Sequence, residues 1–192
     1  MTLRALIRSD LERFTETFAL RGQRYSRSKV AFESLTFKAG FQAVLLYRLA
    51  HWCYQRRWTY AAWFLCRLNT AVTGADIEFN AEIGPGMFIS HPVGIVIGRG
   101  TRIGSRVTIF QGVTCGARSW RADAITRFPT IGDGCYLYAH ATILGPIHIG
   151  NGCVIGAHAL VLQDLPDRAV ARGVLAVIAD GSGRAMPVGI EN

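Results

Sequence analysis

The sequence predicts a mainly β protein, a left-handed parallel β-helix of hexapeptide repeats preceded by a small α-helical N-terminal region. First, aliphatic residues recur six positions apart, at Ile131, Leu137, Ile143, Ile149, Ile155 and Val161. Second, small or β-branched residues follow most of them four positions later, at Cys135, Ala141, Ile147, Cys153 and Ala159. Third, the same period occurs upstream, at Ile77, Ile83, Ile89, Ile97, Ile103 and Ile109. A short fixed period indicates a repeat architecture and fits no helical rhythm.

Each hexad predicts one short strand and one turn. Three hexads would close a triangular coil of about eighteen residues, and stacked coils would pair strand on strand. Glycines that follow the aliphatic residue, as in Ile103-Gly104 and Ile149-Gly150, suit the tight corners. The alternative is an ordinary sandwich of short strands, which the regular spacing of so many hexads disfavours.

Residues 1–75 are predicted to form the helical N-terminal region, with helices over 3–20 and about 29–72. The stretch 41–52 is apolar on most faces, so this helix should be largely buried. Four aromatic residues at and after the end of this stretch are expected to pack in the core, with contact to a partner chain as the alternative; they are Trp52, Trp58, Trp63 and Phe64. Gly74 should end the helical part.

Residues 76–178 are predicted to form the β-helix, and two interruptions of its period are informative. Eight residues instead of six separate Ile89 from Ile97, and the extra pair falls around His91-Pro92. Twenty-two residues separate Ile109 from Ile131, which predicts an extruded loop over 115–129. Loops that leave a rigid scaffold commonly carry function. Residues 179–192 are expected to form a flexible tail.

The charge of the chain is uneven. The net charge is +8, and residues 1–75 hold twelve Lys and Arg against four Asp and Glu. This basic excess is compatible with peripheral contact to an anionic membrane or with phosphorylated ligands, and a solvated helix surface is the simplest alternative. Nucleic acid is not an expected partner, because no binding motif is present.

The five cysteines include no CxxC pair, which favours reduced thiols and a cytoplasmic setting. No stretch reaches the roughly 18 to 20 apolar residues of a membrane span. No metal is expected either, because the spacing of His140, His148 and His158 does not gather ligands.

His91 is the candidate catalytic residue, since it stands at the first irregularity of the repeat. An imidazole with an ordinary pKa of about 6.5 is suited to deprotonate a hydroxyl at neutral pH. It needs a partner on its second nitrogen to fix the tautomer, and Asp76, one coil earlier, is the candidate.

A set of short motifs covers most of the chain: Gly40-Phe41-Gln42-Ala43, Tyr47-Arg48-Leu49-Ala50-His51-Trp52, Asp76-Ile77, Ile83-Gly84-Pro85-Gly86, His91-Pro92-Val93-Gly94-Ile95-Val96-Ile97-Gly98, Gln111-Gly112-Val113-Thr114-Cys115-Gly116, Pro129-Thr130-Ile131-Gly132, Ile143-Leu144-Gly145, Ile155-Gly156-Ala157 and Val161-Leu162. Together they resemble the serine acetyltransferase branch of the hexapeptide-repeat acyltransferases. The combination is far more specific than the hexad pattern alone.

The resemblance implies an O-acetyltransferase that uses acetyl-CoA as acyl donor and works as a homotrimer or a dimer of trimers. His91 matches the general base of that family, and Asp76 matches the carboxylate paired with it. Gly116, Ala139 and Ala157 match the small residues of the groove that holds CoA. Packing at tight corners of the prism explains Ala139 and Ala157 equally well.

Departures from the family concern the acceptor. Ser90 stands where serine-using members carry an aspartate that holds the amino group, and Arg127-Phe128-Pro129 replaces their Arg-His-Pro. Ser90, Arg127 and Phe128 are therefore the candidate substrate-binding residues. An ammonium group without a carboxylate partner loses about 1.5 to 3 kcal/mol per contact, so free L-serine is expected to be a poor acceptor.

The preferred expectation is an acceptor hydroxyl on a sugar of a polysaccharide or glycoconjugate precursor. The alternative is a serine O-acetyltransferase of cysteine biosynthesis. A non-catalytic β-helix scaffold is the alternative from another class.

Overall fold

The computed structural model describes residues 1–20, 33, 36, 38–119 and 128–173. Within that part, three helices precede fourteen strands of two or three residues. The helices are α1 (Leu3–Leu20), α2 (Ala39–Gln55) and α3 (Thr59–Thr73). The strands are β1 (Asp76–Ile77), β2 (Glu82–Ile83), β3 (Phe88–Ile89), β4 (Val96–Ile97), β5 (Arg102–Ile103), β6 (Thr108–Ile109), β7 (Thr114–Gly116), β8 (Thr130–Ile131), β9 (Tyr136–Leu137), β10 (Thr142–Leu144), β11 (His148–Ile149), β12 (Val154–Ile155), β13 (Leu160–Val161) and β14 (Val170–Ala171).

The strands assemble into three parallel sheets, and each sheet takes every third strand as far as β13. Strand β14 then pairs with β12, because the intervening Leu165 forms only an isolated bridge with Ile149. The orders are β1-β4-β7-β10-β13, β2-β5-β8-β11 and β3-β6-β9-β12-β14. We call these sheets A, B and C. Each coil therefore contributes one strand to each face of a triangular prism, which confirms the predicted left-handed β-helix.

The core of the prism is filled by the aliphatic residue of each hexad. Ile89, Ile109, Leu137 and Ile155 stack in sheet C, and all four are fully buried. The preceding residue of most strands faces outward and is exposed or half-buried. The six-residue period thus selects one inward side chain per strand, as the sequence predicts.

The second predicted helix is in fact two helices. A turn over residues 56–58 separates α2 from α3, and the Trp58 N–H donates to the Cys53 carbonyl while the Arg57 N–H donates to the Tyr54 carbonyl. Arg57 has a φ of 63°. These bonds form a Schellman motif, a helix end that usually carries glycine at the left-handed position. Because arginine occupies that position here, the sequence showed no stop signal.

Helix α1 packs against both α2 and the prism. The Phe14 ring lies 5.4 Å from the Phe41 ring of α2 and 4.5 Å from the Phe88 ring of β3, between centroids. At its C-terminal part, Arg106 of the prism donates to the Glu16 carboxylate at 2.7 Å. These contacts hold the helical region on the end of the β-helix where the repeats begin.

The expectation of aromatic core packing around α3 was wrong for three residues. Trp58 and Phe64 are mostly exposed, and Trp63 is 39% exposed although its ring contacts Phe79 at 5.6 Å between centroids. Trp52 is partly buried and packs against a small cluster around Phe79. None of the described helices is long and apolar enough to cross a membrane.

The extruded loop begins later than predicted. Cys115 and Gly116 belong to β7, where they pair with Ile143 and Leu144 of β10. The reason is that Cys115 fills an inward position of the core and is fully buried. Residues 120–127 of the loop and the predicted tail over 179–192 lie outside the described residues.

Candidate active site at the first widened corner

The corner between β3 and β4 is wider than the equivalent corners of the next coils. Ser90 donates its N–H to the Ile109 carbonyl, as Phe110 does to the Leu137 carbonyl one coil later. Gly94 donates to the Gly74 carbonyl. Gly112 is equivalent to Gly94 in the next coil. Gly94 comes four positions after Ser90, whereas Gly112 comes only two positions after Phe110. The two extra residues therefore bulge out of the prism, and one of them is His91.

His91 is exposed and borders a cavity of about 290 Å³. One wall is the end of β3 with the following corner, Phe88–Pro92. The second wall is α1, through Phe14 and Thr17, and the third is the start of α2. A hydroxyl compound of modest size fits in this space beside the imidazole.

The α2 wall gives the cavity a positive electrostatic end. Lys38 precedes the helix with an extended backbone and no side-chain cap, and the first intrahelical bond runs from Gln42 to the Lys38 carbonyl at 3.1 Å. The N–H groups of residues 39–41 therefore have no acceptor within the helix. The helix dipole adds partial positive charge at the same place, which suits a carboxylate.

Asp76 lies on the same edge of the prism as His91. Its N–H donates to the Ile95 carbonyl at 2.8 Å, and the Gly94 N–H reaches the Gly74 carbonyl at 2.9 Å, so the widened corner sits directly on the start of β1. Asp76 occupies the outward position of its strand and is half-buried. Among the described contacts, no hydrogen bond joins the carboxylate to the imidazole.

A second concavity, apolar and about 210 Å³ in volume, lies on the outer face of sheet A. It brings together Gly116 and Phe128, which the sequence assigned to donor and acceptor binding respectively. Phe128 packs so closely on Gly98 that a Cβ there would lie 2.8 Å from the Phe128 Cε1 atom. The structure therefore places Phe128 beside Gly116 and not among the walls of the His91 cavity.

Ala139 and Ala157 stack on the corner edge that begins at His91. The N–H of His158 donates to the Ala139 carbonyl at 3.0 Å, which joins the two coils. With coils about 4.8 Å apart, the two alanines lie about 10 and 14 Å beyond the His91 corner. Gly116 is at the other end of the sheet A strands, so Gly116 on one side and the two stacked alanines on the other flank one face.

Sequence reasoning missed part of the His91 cavity. Phe14, Thr17 and Lys38 line it, and no periodic pattern marks them. Gly40 was noted as part of the family motif, and its position shows why glycine is needed: a Cβ there would lie too close to the Ile89 carbonyl oxygen. Of the predicted acceptor residues, Ser90 lines the cavity, and Arg127 lies outside the described residues.

The histidines downstream do not form a metal site. The His140 and His158 rings stack at 5.0 Å, and His148 lies on sheet B. Across the described residues no group of three or more His, Cys, Asp or Glu side chains could hold a metal ion.

Comparison with known proteins agrees with this geometry. Residues 128–163 match the family model "Bacterial transferase hexapeptide (six repeats)". Over 145 residues, the chain is 42% identical to a serine acetyltransferase of Helicobacter pylori, which covers 76% of this chain and 84% of that protein.

Solved structures are similar over nearly the whole chain. Soybean serine acetyltransferase complexed with serine has a TM-score of 0.79 at 34% identity, over 90% of this chain and 67% of that one. Serine acetyltransferase of Brucella abortus in complex with coenzyme A has a TM-score of 0.77 at 30% identity, over 88% of this chain. The match spans 64% of the Brucella chain, so this chain is the shorter of the two.

Proposed function

This chain belongs to the serine acetyltransferase-like hexapeptide-repeat acyltransferases, and we propose that it transfers an acetyl group from acetyl-CoA to a hydroxyl held beside His91. The observation that carries this proposal is the widened corner. The two extra residues at this corner place the exposed His91 imidazole outside the prism, at the opening of a cavity.

The reaction needs one proton carrier. His91 takes the proton from the acceptor hydroxyl as the oxygen attacks the thioester carbonyl, and the C–O bond forms. The C–S bond then breaks, and the imidazolium returns the proton to the departing thiolate. Donors aimed at the developing oxyanion are usually the largest contribution to acyl transfer. Asp76 is proposed to hold the imidazole in the tautomer whose free nitrogen faces the acceptor.

The acetyl donor is proposed to lie on the face between the corner edge and the apolar groove. Gly116 places no side chain on the floor of this groove, and a Cβ there would make only ordinary contact with the Leu144 side chain at 3.5 Å. Ala139 and Ala157 carry small side chains, which leave space for the donor along the corner edge that runs from His91 toward the later coils. Acetyl-CoA is a substrate in this scheme, and no metal is required by it.

For the acceptor, we propose L-serine. The relatives named above are serine acetyltransferases, and one of the solved structures is a complex with serine. The sequence-based preference for a sugar hydroxyl is thus supported less well than its alternative. The start of α2 in the cavity wall adds a physical reason, since its N–H groups and dipole favour a carboxylate.

A sugar hydroxyl is the second candidate, and one observation favours it. The described cavity walls contain no carboxylate, and Ser90 stands directly before His91. An amino group bound there would have no negative partner among these residues. The cavity walls therefore favour the carboxylate of serine but offer no partner for its amino group, which a sugar lacks.

A homotrimer is proposed as the working assembly, because the His91 corner and the outer face of sheet A are both open on a single chain. A neighbouring prism would enclose the donor between two subunits. Sedimentation velocity at several concentrations measures the assembly directly.

The function is tested by following thiol release from acetyl-CoA with L-serine, L-homoserine and a panel of sugar nucleotides. We expect turnover with serine at a kcat/KM at least tenfold above that of any sugar. Turnover confined to sugars would transfer the proposal to the second candidate. Absence of turnover with every acceptor, together with no thermal shift at millimolar CoA, would support a scaffold without catalysis. A ligand at a hundred times its Kd should stabilise the fold by about 2.7 kcal/mol.

A further inference from the structure

We propose that the solvent side of α3 is a docking surface for an anionic lipid membrane. The surface, which we call the α3 outer face, consists of Tyr60, Phe64, Leu68 and Val72. It is separate from the catalytic corner, and it does not depend on which acceptor the enzyme uses.

The α3 outer face is apolar although the other side of the helix already packs on α2 and on the first strand of the prism. The packed side is formed by Ala62, Cys66, Asn69 and Thr73, which are all buried. The outer face repeats every four residues, and its members are 93, 67, 36 and 59% exposed in chain order. Helical geometry puts residues spaced in this way along one stripe. A continuous stripe of four exposed apolar side chains on the outside of a folded domain indicates an interaction site.

Aromatic residues extend the surface at its N-terminal end. Trp58 is 56% exposed, and Trp63 is exposed beside Phe64. Tryptophan and tyrosine are enriched where proteins meet the membrane–water interface, because their rings are apolar and carry one polar group. The outer face thus has the composition of an interfacial helix.

The charges around the α3 outer face have a single sign. Arg56, Arg57 and Arg67 are exposed, and residues 54–75 contain no Asp or Glu. The nearest carboxylates in the sequence, Asp76 and Glu78, flank Ile77, whose carbonyl accepts a hydrogen bond from the buried Cys66 on the opposite side of the helix. An apolar stripe framed only by arginines complements anionic lipid headgroups.

A second copy of the chain fits this surface less well. In a two-fold dimer, two outer faces packed on each other would bring the two sets of arginines together, with no acidic residue on the helix to compensate. The face is also a convex helix and not a groove. The anionic membrane is therefore the occupant that the charges favour.

Docking would place the catalytic corner beside the lipid surface. The stripe ends at Val72, next to Gly74, and a Cβ on Gly74 would lie 3.3 Å from the Val93 Cα atom. Val93 is 69% exposed and lies two residues after His91. The apolar surface therefore continues from α3 to the widened corner.

The proposal is tested by cosedimentation of the full chain with vesicles of phosphatidylcholine alone or mixed with phosphatidylglycerol. We expect binding to the anionic vesicles only, a blue shift of tryptophan emission on binding, and loss of binding in high salt. Phe64→Glu should abolish binding. Arg56→Gln with Arg57→Gln should lower the partition coefficient about 20- to 30-fold, taking about 1 kcal/mol for each arginine.

Val170→Glu is the matched control, because Val170 is 60% exposed on sheet C and far along the prism from α3. It should bind vesicles like the unmodified chain. All variants should keep their thermal unfolding midpoint and their thiol release from acetyl-CoA, so failure of docking is distinguished from failure of the proposed function. Equal binding to both vesicle types would overturn the proposal. So would failure of the unmodified chain to bind vesicles if Phe64→Glu also lowers the mass of the protein in solution, and that result would assign the face to self-association.

Discussion

Asp10 and Arg48 form a fully buried ion pair that joins α1 to α2 on the end of the prism. The Arg48 Nε atom donates to one carboxylate oxygen at 2.9 Å and Nη2 to the other at 3.1 Å. The Arg48 Nη1 and Nη2 atoms also donate to the carbonyls of Ile83 and Gly84 respectively, and the Met87 N–H donates to Asp10 at 2.9 Å. Every nitrogen and oxygen atom of the two charged groups thus has a partner, and α1 is fixed where it forms a wall of the His91 cavity.

Replacing Asp10 by Asn should destabilise the fold by about 3 to 5 kcal/mol, because it leaves the Arg48 charge buried without its partner. Urea unfolding followed by circular dichroism measures the loss. Arg102→Gln is the control, since it breaks only an exposed pair with Glu82 at 3.2 Å and should cost less than about 1 kcal/mol. Equal losses in the two variants would show that the buried pair has no special role.

His91→Ala should lower kcat about 10²- to 10⁴-fold while leaving the unfolding midpoint unchanged, because the side chain is exposed and acts as general base. Thiol release under saturating donor measures this effect. His148→Ala is the matched control, as His148 is an exposed histidine on sheet B. Turnover of His91→Ala at the rate of the control would remove His91 from the mechanism.

Asp76→Asn should lower kcat by a smaller factor, about 10-fold or more, because an amide still accepts or donates one hydrogen bond but no longer stabilises the imidazolium. The double variant Asp76→Asn with His91→Ala separates this role from a structural one. If Asp76 acts only through the imidazole, adding Asp76→Asn to His91→Ala should cost no further activity. A full additional loss in the double variant, with a lower unfolding midpoint, would indicate that Asp76 only shapes the strand.

Gly40→Ala should push α2 away from β3 and destabilise the fold by about 1 to 3 kcal/mol, since the new methyl group would meet the Ile89 carbonyl oxygen. Because Gly40 also lines the His91 cavity, KM for the acceptor should rise. Gly116→Ala is the control for stability, as its methyl group would make only ordinary contact with Leu144. An unchanged Gly40→Ala variant would mean that the helix start adapts freely.

Three buried thiols should be inert in the folded chain at pH 8. Burial raises the pKa of Cys115 to about 12 and is the main reason that those of Cys66 and Cys135 rise to about 11. An unfolded thiol titrates near about 8.5, so the free energy of unfolding should fall as pH rises from that value toward 11. Titration with a disulfide reagent, with and without urea, checks the first claim. Rapid labelling without urea would contradict it. The cytoplasmic setting inferred from these reduced thiols stays a prediction.

The repeat and the catalytic corner could be predicted from the sequence because they follow from local spacing. Every sixth residue faces inward, and the eight-residue interval between Ile89 and Ile97 marks the widened corner directly. His91 stood out for this reason alone. Its place one coil earlier also indicated Asp76 as the partner. The family resemblance agreed with that pairing and added the donor residues, and no contact in the structure tests these assigned roles.

Only the tertiary structure decided what covers that corner. Asp10 pairs with Arg48, which is 38 positions away in the sequence. Phe14 and Gly40 line the cavity from two different helices. Phe128, expected on the acceptor side, lies beside Gly116 in the apolar groove. These contacts join segments without a shared period, so no spacing rule connects them. The outward side of α3 is a further example. An apolar stripe on a helix predicts a buried side, and only the packed structure shows that the opposite side of α3 is the one that is buried.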